Sequence, residues 1–157
     1  MRLNTWSVTS KLNDKFLSEF DNSKFLLQDS ALKGLCSVDS YPDSNFLEKK
    51  DVKNINKFEE HLVSKPHRSI KKFNKIISAA SVINFRNYKY IEKKIKYNSK
   101  ILEIGAGVGY LAALIKYFKK VDTYYICDLS STLKIVYKFI KSNFPKVDVN
   151  YYNNKNL

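Results

Sequence analysis

The spacing of apolar residues changes character near residue 100. Upstream, apolar side chains recur at three- and four-residue intervals, the period of a helix with one buried face. Leu12, Phe16, Leu17 and Phe20 form a first stripe, with Ser10 placed as its N-cap. A short patch, Phe25-Leu26-Leu27, precedes Gly34, and the turn formers from Ser37 to Ser44 read as a loop. From about 46 to 97 the pattern predicts helices. Ile55, Phe58 and Leu62 share one face, and Pro66 suits the first turn of a second helix carrying Ile70, Phe73, Ile76 and Ile77. Tyr88, Ile91 and Ile95 make a third stripe. The Lys71-Lys72 and Lys93-Lys94 pairs between the stripes read as solvated faces.

Beyond Lys100 the elements alternate. Ile101 to Ile104 is a short strand, and Leu111, Ala112, Leu114, Ile115 and Phe118 follow at helical spacing. Thr123 to Cys127 is β-branched and aromatic, hence a strand. Leu133, Val136, Tyr137 and Ile140 give another helix, closed by Asn143 and Pro145, and Val147 to Tyr152 is a third strand candidate. Strand, helix, strand, helix, strand is the order of a parallel α/β sheet. The fold class is therefore α/β: an N-terminal segment over 1–45, a helical region over 46–98, and the start of a parallel-sheet domain over 99–157. No internal repeat is present.

Composition narrows the setting. With 157 residues and 44% apolar content, the chain has the length of one domain and enough apolar surface to fold. It contains no apolar run long enough to span a membrane, and its N-terminus lacks the apolar core of a secretory signal. Cys36 and Cys127 show no metal or disulfide spacing, so a reduced, cytoplasmic setting is expected. The net charge of +13 points first to nucleic acid. Yet arginine, the forked reader of bases and phosphates, occurs only at Arg2, Arg68 and Arg86. The joint abundance of Lys, Asn, Ile, Tyr and Phe matches an AT-rich coding sequence. Nucleic acid is disfavoured as a partner on these grounds.

Chemistry concentrates at one place. Three of the four glycines, Gly105, Gly107 and Gly109, lie at alternate positions where the first strand of the alternating region ends. Gly105 permits a sharp turn, Gly107 lets a ligand approach the backbone, and Gly109 lets the next helix pack close. Asp128 ends the following strand, placed to accept hydrogen bonds from both ribose hydroxyls of a nucleoside. A dinucleotide fingerprint reads Gly-x-Gly-x-x-Gly, whereas this loop reads Gly-x-Gly-x-Gly, with Tyr110 in the sixth position. Glu103, two residues before Gly105, would repel a pyrophosphate and suit a cationic ligand. Plainer roles are open to each: a tight turn for the glycines, an N-cap for Asp128, a strand-end surface position for Glu103, and a small buried apolar position for Cys127.

The run Glu103-Ile104-Gly105-Ala106-Gly107-Val108-Gly109 resembles the first motif of Rossmann-like S-adenosylmethionine-dependent methyltransferases. Asp128 resembles the acidic residue closing their second strand. More narrowly, Ile101 to Tyr110 with Tyr124-Tyr125-Ile126-Cys127-Asp128-Leu129 is similar to sugar O-methyltransferases of bacterial surface-polysaccharide clusters. Their second strand ends in Asp-Leu-Pro-Glu; Ser130 and Ser131 replace the Pro and Glu here. The likeness covers about residues 99 to 145. It implies that Glu103 helps hold the methionyl end of S-adenosylmethionine, with Gly105, Ala106, Gly107 and Gly109 lining the loop beneath. It further implies that Asp128 binds the ribose and that Leu129 packs near the adenine.

A methyltransferase of this class resembles a seven-stranded sheet, and this chain reaches only a third strand. The expectation is therefore the N-terminal part of a longer enzyme, or a product shortened by a frameshift. Methyl transfer to a hydroxyl needs in-line positioning and a general base, and no residue pattern supplies that base. His61 and His67 sit in Lys-rich sequence and read as solvated surface, and no His and carboxylate cluster suggests a metal. The expected function is SAM-dependent methylation of a sugar or other small hydroxyl acceptor. The alternatives are a non-catalytic remnant or interaction module, and an NAD(P)-binding oxidoreductase fragment.

Overall fold

The computed structural model describes residues 42–149 apart from 64, 65, 67 and 120. The apolar stripe from Leu12 to Phe20, the patch at Phe25 to Leu27, Cys36 and His67 lie outside the described residues. The described chain is mixed α/β, with four helices and two small sheets in the order α1 (Lys49–His61), β1 (Arg68–Lys72), β2 (Lys75–Ser78), α2 (Ala79–Ile91), β3 (Lys100–Ile104), α3 (Tyr110–Phe118), β4 (Thr123–Cys127) and α4 (Ser130–Asn143).

Helix α1 begins at a reciprocal cap. Glu48 stands at the N-cap, and its backbone N–H donates to the Asp51 carboxylate at 3.1 Å. The stripe Ile55, Phe58 and Leu62 is buried, as its spacing predicts. Helix α2 starts at Ser78, whose hydroxyl accepts from the Ser81 N–H at 3.0 Å. It packs across α3, and α1 packs on β2. One apolar core joins Phe58 of α1, Ile77 of β2, Phe85 of α2, Leu114 of α3 and Phe139 of α4.

One predicted element is of a different kind. The stripe Ile70, Phe73, Ile76 and Ile77 is not helical; it lies in an antiparallel hairpin of β1 and β2. Ile70 pairs with Ile77 and Lys72 with Lys75. The two-residue connection, Phe73-Asn74, has φ of +46° and +60°, the positive pair of a type I′ turn. Pro66 accordingly precedes a strand rather than opening a helix. The spacing misleads because positions 70, 73 and 77 fit a helical face, while 70 and 77 are also facing partners across a two-residue turn.

Strands β3 and β4 form a parallel pair in the register Ile101↔Tyr124 and Glu103↔Ile126. Ile101, Tyr124 and Ile126 pack against the core. The opposite face carries Leu102, Ile104 and Tyr125, which are 63%, 78% and 54% exposed. Val147 to Val149 adopt no strand, and the rest of the third strand candidate lies outside the described residues. Helix α4 ends at Asn143, as Asn143 and Pro145 predict. The Asn143 side chain accepts from the Val63 N–H at 2.7 Å and donates to the Phe139 carbonyl at 2.8 Å.

Candidate functional site

The parallel pairing brings the carboxyl ends of β3 and β4 side by side, so Gly105 and Asp128 leave the sheet together. The Gly105 N–H donates to the Cys127 carbonyl at 2.9 Å, extending the ladder by one rung before the chain turns away. All three loop glycines have positive φ: +76° at Gly105, +57° at Gly107 and +81° at Gly109. Gly109 is restricted twice over, because a Cβ there would lie 2.9 Å from the Val136 Cγ1 of α4. The close approach of α3 and α4 thus needs a bare backbone at this position.

Asp128 ties the loop to the end of β4. Its Oδ2 accepts from the Gly107 N–H at 3.2 Å, and its Oδ1 accepts from the Leu129 N–H at 2.7 Å. It is not the N-cap of α4: Leu129 holds that position, and its side chain makes no capping bond. Each carboxylate oxygen retains a further lone pair. The Gly109 N–H donates to the Ala106 carbonyl at 2.9 Å, so the amides of all three glycines are spent on protein acceptors.

Glu103 lies on the core-facing side of β3 and is half-buried rather than at the surface. Its carboxylate accepts from the Tyr124 hydroxyl at 2.9 Å. Burial pushes its pKa above the usual 4.5; the Tyr124 bond opposes this, and the Asp128 charge adds to it. The Tyr124 phenol is raised as well, first by burial and then by the neighbouring Glu103 charge. Two carboxylates close enough to repel each other therefore flank the glycine loop, a field that favours a cation.

Ala106 packs against the core, and Leu129 is half-buried beside Asp128. Cys127 is exposed, not buried, because it falls on the open face of the sheet; this corrects the sequence expectation. His61 is exposed on α1, with its ring 5.1 Å from that of Tyr117 and 5.2 Å from that of Phe144. Among the described residues no group of three or more His, Cys, Asp or Glu could hold a metal, and no helix is long and apolar enough to cross a membrane.

Sequence reasoning missed a buried polar group behind the loop. Glu59, Ser78 and Ser81 are at most 1% exposed, and Tyr110 only 2%. A signal was present: Glu59 stands beside Phe58 and four residues after Ile55, inside the apolar stripe of α1, where a charge needs a partner. No family model matches this chain, and comparison with curated proteins and with solved structures likewise found no match.

Proposed function

We propose that this chain carries the cofactor-binding part of a Rossmann-like SAM-dependent methyltransferase that methylates a sugar or another small hydroxyl acceptor in the cytoplasm. One observation carries the reading: the carboxylate ending β4 holds the Gly107 amide of the loop ending its parallel neighbour β3. That arrangement sets carboxylate oxygens beside bare backbone, the surroundings that a nucleoside's ribose would use. Glu103 and Asp128 supply negative potential for the sulfonium and ammonium of S-adenosylmethionine. The glycine amides, all committed to internal acceptors, offer nothing to a pyrophosphate, which weighs against the oxidoreductase alternative. The chemistry asked of these residues is binding and orientation. Leu129 would contact the adenine, and the loop would seat the methionyl arm.

Calorimetric titration with S-adenosylhomocysteine, beside NADH, tests the proposal. Wild type is expected to prefer the homocysteine derivative, and Asp128→Ala to weaken it about tenfold to a hundredfold. Tighter binding of NADH, or no binding of either by a folded chain, overturns it. The interaction-module reading draws on the open sheet face of Leu102, Ile104 and Tyr125. It would be favoured by a folded chain that binds no nucleoside yet captures a protein through that face.

A further inference from the structure

Behind the glycine loop runs a chain of buried hydrogen bonds that uses none of the proposed cofactor contacts. The Glu59 Oε1 accepts from the Ser81 hydroxyl at 2.5 Å and from the Ser78 N–H at 2.8 Å. The Ser81 and Tyr110 hydroxyl oxygens lie 2.6 Å apart. Its direction follows from counting protons. The Ser81 hydroxyl donates to Glu59, which spends its single proton, so Tyr110 donates to Ser81. The Ser78 hydroxyl donates to the Ser81 oxygen as well, at 3.0 Å, which uses that oxygen's remaining capacity.

Tyr110 directly follows Gly109 and is the first residue of α3. Its ring meets Phe58 edge-on at 5.4 Å and stacks on Phe139 at 6.1 Å. Contacts from α1, α2 and α4 therefore converge on the residue where the loop becomes a helix. Apolar contact alone would bury a phenylalanine here at lower cost than a carboxylate under two hydroxyls. What directional bonds add is a fixed rotation of the first turn of α3. The Ala113 N–H donates to the Gly109 carbonyl at 3.0 Å, so that rotation is passed to the loop. Glycine otherwise leaves such a loop with more backbone freedom than any other residue type.

We infer that Glu59 and Ser81 are positioning residues, acting through Tyr110 to hold the loop of Gly105 to Gly109 in the shape that receives the cofactor. Its binding consequence rests on the methyltransferase reading above; its effect on the loop does not. The experiment uses the full chain as wild type, Tyr110→Phe, Ser81→Ala, Ser81→Thr and Glu59→Gln. Amide hydrogen exchange is followed over residues 105–109 without ligand, alongside thermal melting and titration with S-adenosylhomocysteine.

Tyr110→Phe and Ser81→Ala are expected to speed exchange in the loop severalfold while α1 keeps its protection. The same variants should weaken S-adenosylhomocysteine about three- to tenfold. Ser81→Thr and Glu59→Gln, which keep a hydroxyl and an acceptor oxygen respectively, should restore most of both. If wild type binds no S-adenosylhomocysteine but loop exchange still responds, the positioning role stands and the cofactor reading falls. Loop exchange and affinity unchanged in a Tyr110→Phe variant that only melts earlier would overturn the inference, reducing the bonds to core packing.

Discussion

Gly109 and Gly105 share a left-handed backbone but not the same surroundings, and the difference can be measured. At Gly105 a Cβ meets nothing within 4 Å, so alanine costs only the backbone strain, about 1–2 kcal/mol. At Gly109 the same strain is joined by the clash with Val136, for a total of about 2–5 kcal/mol. Urea denaturation should show Gly109→Ala as the more damaging, and adding Val136→Ala should recover part of its loss but none of the loss at Gly105. Glu103 gives a second residue-scale test. Its native pKa lies above the usual 4.5, so the folded state binds its proton more tightly than the unfolded state does. The resulting penalty is absent well below pH 4.5 and complete above the native pKa. Glu103→Gln should therefore be more stable than wild type at pH 7, with the advantage shrinking as the pH approaches 4. The loop was legible in the sequence because glycine reports directly on backbone shape. The Glu59 relay was not, because Ser81 and Tyr110 lie far from Glu59 along the chain and no local spacing joins them.

At the scale of elements, β3, α3, β4 and α4 follow the predicted order closely, since apolar runs bounded by turn formers leave little choice of structure. The hairpin of β1 and β2 was illegible for a physical reason. Its turn lacks the Asn-Gly pair that marks a type I′ connection, and instead places Phe73 in the left-handed region. Part of that strain is offset by Lys72, whose ammonium lies 5.7 Å from the centre of the Phe73 ring. Lys72 also donates to the Ser44 carbonyl, tying the hairpin to the segment before α1. Replacing Phe73-Asn74 by Asn-Gly should stabilise the protein by about 1 kcal/mol net, seen as a higher urea midpoint at unchanged slope. No change, or a loss, would mean that the Phe73 contacts outweigh the strain.

For the whole molecule, the decisive asymmetry is between the two faces of the parallel pair. One rests on the helices; the other leaves Leu102, Ile104 and Tyr125 more than half exposed. Parallel strands are ordinarily covered on both sides. Ile104→Lys should change stability by less than about 0.5 kcal/mol, because it removes no buried contact. If the open face drives self-association, sedimentation velocity should show wild type associating with rising concentration and Ile104→Lys doing so less; equal behaviour of the two would exclude that role for the face. The two sheets differ equally in how far apart along the chain their partners lie. The hairpin closes across two residues, whereas β3 finds β4 only after the chain from Ile104 to Thr123 has folded back. Loop closure makes the second pairing the slower one to nucleate. The glycine loop hangs from that pairing, so its contacts are expected to form after the folding transition state. In a chevron plot, Asp128→Asn should steepen nothing and leave refolding almost unchanged while unfolding accelerates. The site would then be the last part of the protein to form and the first to open, and a bound ligand would act chiefly as a brake on unfolding.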